Sequence, residues 1–196
     1  MNPTRRFDSP LMLYGAPVGL YTGKIRSYLR KQGIAYAERL PTDPVFRKEI
    51  LPAIGRFINP VIRTPDGRIV QDTADIIDFL EREGYARSPS TPQTPLQKLV
   101  ALILDLFGGE GLVRPAMHYR WSYRAENEAF LRHEFGLSYR PGRLSAEAVE
   151  QQLSGFMNYL NAYLPKLGIT PETRIAVEAS YEDLLGRLDA HFRQHP

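Results

Sequence analysis

The side chains best placed to do chemistry in this chain are hydroxyl and acidic groups at the starts of two predicted helices. Thr22 is predicted to cap a helix that ends at Gln32, and Asp72 with Thr73 opens a helix that closes at Gly84. A helix N-terminus presents unpaired backbone N–H groups and the positive end of the helix dipole, so it stabilises anions. These two helix starts are therefore candidate anion sites, although the same residues also serve as ordinary helix caps.

Composition argues against thiol and metal chemistry by the chain's own side chains. The sequence has no cysteine, which excludes disulfides, thiolate zinc sites and a cysteine nucleophile. His133, His191 and His195 show no ligand-like spacing beside acidic residues, so we predict no metal site. The lack of cysteine fits a reducing compartment, and we predict a cytoplasmic protein.

The charge pattern disfavours nucleic-acid and membrane partners. The 25 Lys and Arg residues against 22 Asp and Glu give a net charge of +3, without the dense cationic runs that a phosphate backbone requires. The most apolar run, residues 99–107, is interrupted by Asp105 and is too short to span a bilayer. Residues 1–10 lack the apolar stretch of a signal peptide. We predict a soluble protein that binds neither nucleic acid nor membranes.

The first half of the chain alternates the patterns of strands and helices. Strands are predicted over 11–15 and 34–40, and helices over 22–32, 42–51 and 72–84. The turn Pro65-Asp66-Gly67 joins the apolar runs 58–62 and 68–70 and predicts a β-hairpin. The order strand–helix–strand–helix–strand–strand–helix therefore predicts an α/β domain over residues 10–84.

A change of composition separates this domain from a helical second half. Residues 85–93 are rich in Ser, Pro and Thr and predict a linker, and every later pattern, over 94–196, is helical. The first of these helices follows Thr94-Pro95 and carries an apolar stripe. The stripe consists of Leu96, Leu99, Val100, Ile103, Leu104 and Phe107.

This order of elements, together with particular residues, resembles the glutathione transferases. Leu13-Tyr14-Gly15 and Tyr21-Thr22-Gly23-Lys24-Ile25-Arg26 look like that family's first strand and helix, and Ile58-Asn59-Pro60-Val61-Ile62 resembles its Val-Pro-Val-Leu segment, whose proline is cis. Farther on, Pro115-Ala-Met-His-Tyr-Arg-Trp121 resembles a bacterial branch of uncharacterised transferase-like proteins. The resemblance implies a thioredoxin-like N-terminal domain followed by an all-α helical-bundle domain.

The resemblance also implies a glutathione site. The backbone of Asn59, turned outward by Pro60, would pair with the cysteinyl part of glutathione as an added strand would. Asp72 would pair with the ligand's amino group, and Thr73 at the helix start would bind its carboxylate. The alternatives are an ordinary trans proline at a strand edge and a plain helix cap. Glutathione is thus the implied co-substrate, with no metal.

The hydroxyl that would activate the glutathione thiol is not identified by the resemblance. The serine of the serine-type pattern falls on Gly19, and the tyrosine of the tyrosine-type pattern falls on Gly15. Nearby candidates are Thr22, Tyr21 and Tyr14. Each has a structural alternative, namely a helix cap, a loop packing residue and a strand core residue.

A second-substrate pocket is implied in the helical domain, at Arg114, His118 and Trp121, which helix packing would explain equally well. Family members continue into a further helix with a Ser/Thr-x-x-Asp capping box, and nothing here matches it. We therefore expect either a natural truncation or a fragment of a longer chain, and in both cases a homodimer. The implied function is conjugation of glutathione to a small electrophile, or reduction with it. A non-catalytic binding or scaffold protein of the same fold is the alternative.

Overall fold

A computed structural model describes residues 5–137 and 145–195 of the chain. These residues divide into two compact units. The first takes in the described residues of Met1–Ala101 and His133–Ser145, and the second those of Leu102–Arg132 and Ala146–Pro196. The domain boundaries at 84 and 94 stay a prediction from the sequence.

A four-stranded mixed sheet lies at the centre of the first unit. Its strands are β1 (Leu11–Tyr14), β2 (Tyr36–Arg39), β3 (Val61–Arg63) and β4 (Ile69–Gln71), in the order β2-β1-β3-β4. β1 is parallel to β2 and antiparallel to β3, and β3 is antiparallel to β4. With its flanking helices, this sheet confirms the predicted thioredoxin-like arrangement.

Helices cover both faces of the sheet. They are α1 (Leu20–Gln32), α2 (Leu51–Ile54) and α3 (Thr73–Arg82), with a π-helical turn at Phe46–Ile50 before α2. Because side chains alternate along a strand, Leu11 and Leu13 of β1 pack with α1 and α3, whereas Tyr14 packs with Phe46 on the face that α2 covers. The sheet is therefore held between two apolar layers.

Two predicted helix boundaries are wrong. α1 begins at Leu20 with Gly19 as its N-cap, so Thr22 lies inside the first turn and does not cap the helix. The helix predicted to stop before Pro52 continues through it to Ile54. Proline is tolerated in the first turn of a helix, because the N–H that it lacks would have no partner there.

The remaining described elements are helical, as the sequence predicts. They are α4 (Pro95–Leu106), α5 (Val113–Trp121), α6 (Arg124–Leu137), α7 (Ala146–Asn161) and α8 (Arg174–Gln194), with a π-helical turn at Phe107–Gly111 and a 3-10 turn at Pro165–Leu167. The apolar stripe predicted on α4 is present, but its six members each expose between 46% and 72% of their surface. An apolar surface of this length is typical of an interaction site.

An ion pair joins α1 to β2 and to the loop that precedes α1. Arg26 donates from Nε to Glu38 Oε1 at 2.7 Å and from Nη2 to Glu38 Oε2 at 2.8 Å. The same Nη2 donates to the carbonyl of Pro17 at 3.3 Å. The hydrogen bond from Arg26 lowers the pKa of the Glu38 carboxyl below its usual value. Arg26 therefore positions the 15–19 loop as well as stabilising the pair.

We predict that Glu38→Gln flattens the dependence of stability on pH. Because the folded pKa of Glu38 is lowered, its contribution is complete above the unfolded pKa of about 4.3 and is lost as pH falls through the folded value. The free energy of unfolding should fall more for the wild type than for the variant between pH of about 6 and about 3. Urea unfolding at both pH values measures this. Glu49→Gln, at another ion pair, is the control, and equal slopes for Glu38→Gln and the wild type would contradict the pairing.

Candidate functional site

Three strands place the candidate residues at one edge of the sheet. The strand register pairs Tyr14 with Val61 and Val61 with Gln71. The chain therefore leaves β1, enters β3 and leaves β4 at the same edge. α1 follows β1 after a short loop and α3 follows β4 directly, so both helices begin at this edge. Two helix N-termini and the chain before β3 are brought together, as an anion site requires.

Asp72 connects β4 to α3 in an unusual backbone conformation. Its φ is 70° and its ψ is 148°, and it is the non-glycine residue with positive φ among the described residues. This region costs a residue with a Cβ on the order of 1–3 kcal/mol, and such strain is found mostly at functional sites. The Oδ1 atom of Asp72 accepts a hydrogen bond from the Ala74 N–H at 3.0 Å. The side chain is exposed, so capping by Oδ1 is compatible with ligand contact through Oδ2.

Asn59 and Pro60 precede β3 at the same edge. Their peptide bond is cis, Pro60 is buried and Asn59 is half-buried. The ladders of β3 with β1 and β4 begin at Val61. The backbone polar groups of Asn59 therefore lie beyond the paired part of the sheet, where an extended ligand backbone could pair with them.

The N-terminus of α1 is open to an anion. Its cap residue, Gly19, has no side chain that could accept from the first-turn N–H groups, and the first turn contains no acidic residue. Many helices begin with a side-chain cap, which would compete with a ligand for the first-turn N–H groups. Here the positive end of the helix dipole has no such competitor.

Thr22 fills the space that side chains at Gly15 and Gly19 would need. A Cβ on Gly15 would lie 2.4 Å from Thr22 Oγ1, and a Cβ on Gly19 would lie 2.8 Å from it. Thr22 is 1% exposed, and its buried hydroxyl has no hydrogen-bond partner among the described residues. The two glycines and the threonine are therefore parts of one packing arrangement.

The three predicted hydroxyls are not brought to one point. Tyr14 is 3% exposed and its ring lies 5.7 Å from that of Phe46, on the face covered by α2. Burial raises the pKa of Tyr14, with a further contribution from the charge of Asp43. Tyr21 is half-buried in the first turn of α1. Thr22 and Tyr21 thus lie at the start of α1, whereas Tyr14 packs into the core.

The structure adds two residues that the sequence did not single out. Gln71 pairs with Val61 at the edge and immediately precedes Asp72. The exposed Arg56 donates from Nε to Gln71 Oε1 at 3.5 Å. Arg56 thus places a positive charge beside this edge of the sheet. In the sequence, only its position directly after Gly55, the residue that ends α2, could have indicated this.

The predicted second-substrate residues do not line one pocket. His118 and Trp121 are 0% and 2% exposed. His118 Nε2 lies 2.7 Å from Glu178 Oε1 and its Nδ1 lies 2.8 Å from Ser122 Oγ, so it connects α5 to α8. Exposed Arg114, in contrast, lines a cavity of about 1000 Å³ in the second unit.

The described part of the chain contains neither a metal-binding cluster nor a helix that could span a membrane. No three or more His, Asp or Glu side chains are grouped there in a way that could hold a metal ion. None of the helices in the described ranges has both the length and the apolar character needed to cross a bilayer.

The fold defines a thioredoxin-like domain, and the candidate site lies at the carboxyl end of β1. The sequence model of the glutathione S-transferase N-terminal domain matches residues 13–87, which contain every edge residue described above. Residues 13–87 accordingly form a domain similar to the N-terminal domain of glutathione S-transferases. No curated protein matches it.

Similar solved structures include glutathione transferases of several bacteria. A glutathione S-transferase of Methylobacterium radiotolerans, in complex with glutathione sulfonate, is 22% identical over 75% of this chain and 63% of that chain, with a TM-score of 0.45. Another from Rhodospirillum rubrum F11 is 16% identical over 87% of this chain and 86% of that chain, with a TM-score of 0.49. The present chain thus spans less than two thirds of the Methylobacterium protein.

We predict that Asp72→Gly stabilises the fold or leaves it unchanged. Glycine adopts a positive φ without strain and loses only a few tenths of a kcal/mol as a cap, so the free energy of unfolding should rise by up to about 1 kcal/mol. Asp72→Ala retains the strain and loses the cap, so it should lower that energy by about 1–2 kcal/mol. Urea unfolding compares the two variants. Equal destabilisation by both would contradict the assignment of strain to Asp72.

Proposed function

We propose that this chain binds glutathione at the described edge and joins its sulfur to a small electrophile. The observation that carries the proposal is Asp72, an exposed carboxylate that caps α3 in a strained conformation. It lies at the same edge as Asn59 and the open N-terminus of α1. The match of residues 13–87 to the glutathione S-transferase N-terminal domain supports the choice of ligand.

The γ-glutamyl end of glutathione suits the start of α3. Its ammonium group would pair with the Asp72 carboxylate, and its carboxylate would accept from the first-turn N–H groups and the Thr73 hydroxyl. The cysteinyl backbone would pair with Asn59 beside Pro60, in the manner of an added strand. Both contacts use polar groups that the fold leaves at the edge.

The thiolate would lie at the start of α1. There the helix dipole lowers the pKa of a thiol, because it favours the charged form. Thr22 is the proposed hydroxyl donor, since its Oγ1 is buried without a partner. In the described conformation the backbone of Gly15 and Gly19 covers this oxygen, so contact requires the 15–19 loop to shift. Tyr21, in the same turn, is the alternative donor, and Tyr14 is the least accessible of the three.

The proposed reaction forms one carbon–sulfur bond. The thiol proton passes to solvent when the thiolate forms, and the sulfur lone pair attacks the electrophilic carbon. The leaving group departs with the bonding electrons, or, in an addition, the neighbouring atom takes up a proton. Arg114, with His118 and Trp121 buried nearby on α5, remains our proposal for the second-substrate region.

A non-catalytic glutathione-binding protein is the second candidate. It is favoured by the glycines at positions 15 and 19 and by the inaccessible hydroxyl of Thr22. The carboxylate of Asp72 and the backbone of Asn59 could bind glutathione whether or not a hydroxyl reaches its sulfur. The two candidates therefore share a ligand and differ in whether its thiol ionises.

The homodimer expected from the sequence also stays a proposal. The apolar stripe of α4, which continues to Phe107 in the following π-helical turn, supports it, because all six of its members are at least 46% exposed. Burying such a surface against a second copy would gain roughly 25 cal/mol for each Å² removed from water. Equilibrium sedimentation of the wild type and of a Leu99→Gln/Ile103→Gln variant would compare their association.

We predict that Asp72→Asn weakens glutathione binding by about tenfold or more, since it removes the charge that pairs with the ligand's ammonium group. Asparagine is an equally good helix cap, so the free energy of unfolding should change little. Isothermal titration calorimetry with glutathione measures the affinity. Asp75→Asn removes another carboxylate from the first turn of α3 and serves as the control. Unchanged affinity in Asp72→Asn, or no binding by the wild type, would refute the proposed site.

We predict that Thr22→Val raises the pKa of the bound glutathione thiol by about one unit, while Thr22→Ser restores it. Valine has nearly the shape of threonine and lacks only the hydroxyl, so the packing against Gly15 and Gly19 is kept. The ultraviolet absorbance of the thiolate, titrated against pH with saturating glutathione, measures the effect. An unshifted thiol pKa in the wild-type complex selects the non-catalytic candidate. A lowered pKa that survives in Thr22→Val removes the hydroxyl from the mechanism.

A further inference from the structure

A second concave site lies in the first unit, at the opposite end of α1 from the glutathione edge. Its volume is about 330 Å³, and it is formed by the N-terminal segment, the turn after α1 and the chain after α3. α1 has 13 residues, which corresponds to a length of about 20 Å. The pocket is therefore separate from the proposed glutathione site.

Arginine supplies all the charge in this pocket. Arg5, Arg6 and Arg87 line it, and none of its lining residues is acidic. Arg5 lies 3.4 Å from Glu83 Oε2, but the same oxygen lies 3.1 Å from Arg68. Within the described ranges, Arg6 and Arg87 form no ion pair. The Glu83 carboxylate is thus shared by Arg5 and Arg68. The charges of Arg6 and Arg87 remain without a partner of opposite charge in the described part of the chain.

A fixed aromatic wall completes the pocket. The rings of Phe7 and Tyr85 stack at 3.9 Å with an angle of 14° between their planes. The Arg5 guanidinium lies 5.0 Å from the centre of the Tyr85 ring. Tyr85 is 5% exposed and belongs to the core between the sheet, α1 and α3. The wall therefore keeps its position without a ligand.

Capping of α1 does not explain the unmatched charge. The N–H of Gly33, in the left-handed conformation, already donates to the C-terminal carbonyls of α1. Arg30 and Lys31 already place cations in the last turn, where the helix dipole favours them. Arg6 and Arg87 are exposed and add two positive charges to one concave surface, so an anion bound there would be attracted by both.

We propose that this pocket binds a small dianion that carries a flat apolar group, of the class of aryl phosphates. A guanidinium group donates two parallel hydrogen bonds to phosphate oxygens, so Arg6 and Arg87 together suit a doubly charged group. The flat group would lie against Phe7, the half-buried ring of the stacked pair. The volume suits a ligand of one ring with its phosphate. This site is independent of the proposed glutathione function.

Calorimetry with phenyl phosphate, inorganic phosphate and phenol tests the proposal. The wild type should bind phenyl phosphate more tightly than inorganic phosphate, and its affinity should fall with added salt. Arg6→Gln/Arg87→Gln should weaken binding of phenyl phosphate by about tenfold or more. Arg47→Gln/Lys98→Gln removes the same charge from other exposed positions and should leave the affinity within about twofold at physiological salt.

Backbone amide chemical shifts locate the ligand. Phenyl phosphate should perturb residues 33–35 and Arg87, and neither saturating glutathione nor Asp72→Asn should abolish that effect. If the chain did not bind glutathione, the chemical-shift changes caused by phenyl phosphate would therefore still be expected. The proposal is overturned if the wild type does not bind phenyl phosphate, if both double variants lose the same affinity, or if the shifts move at Gly15 and Asp72 instead. Equal affinity for inorganic phosphate would overturn the role of the aromatic wall.

Discussion

The pairing of Val61 with Tyr14 on one side and Gln71 on the other is the constraint on which the site depends. A slip of one residue in this register would turn every side chain of the strand to the opposite face. Both faces resist such a slip, because Ile62 packs with α1 and α3 while Val61 packs with Phe46 and Ile50. The two apolar layers thus fix the register, so that the ends of three strands lie at the same edge of the sheet. The positions at which α1 and α3 begin are determined by that register.

Two unfavourable features lie at this edge of the sheet. Asp72 holds a positive φ, and the Thr22 hydroxyl is buried without a partner. Each costs on the order of 1–3 kcal/mol by comparison with an unstrained or hydrogen-bonded alternative. Substitutions that remove such costs are available in a single step, so the proposed ligand binding would account for their presence. Both features fit the ligand site that we propose at this edge.

Local patterns were enough to predict most of the helices and strands. Pro65-Asp66-Gly67 marked the hairpin, and Asp72-Thr73 marked the start of α3. No local sequence pattern indicated that Thr22 packs against Gly15, because the two residues belong to a helix and a loop that only the fold brings together. The start of α1 was misplaced for a related reason, since Thr22 has the residue type of a cap but a packing role. Periodicity gave the stripe on α4 but could not show that it stays uncovered.

The space shared by Gly15, Gly19 and Thr22 has a consequence for how this site can change by descent. A serine introduced at position 19 meets the Thr22 side chain, and shortening Thr22 first leaves a void between the loop and α1. Each single substitution is thus unfavourable alone, and the pair Gly19→Ser with Thr22→Ala compensates. Positions 15, 19 and 22 should consequently vary together among descendants of this sequence, with the identity of one residue deciding which neighbours are permitted.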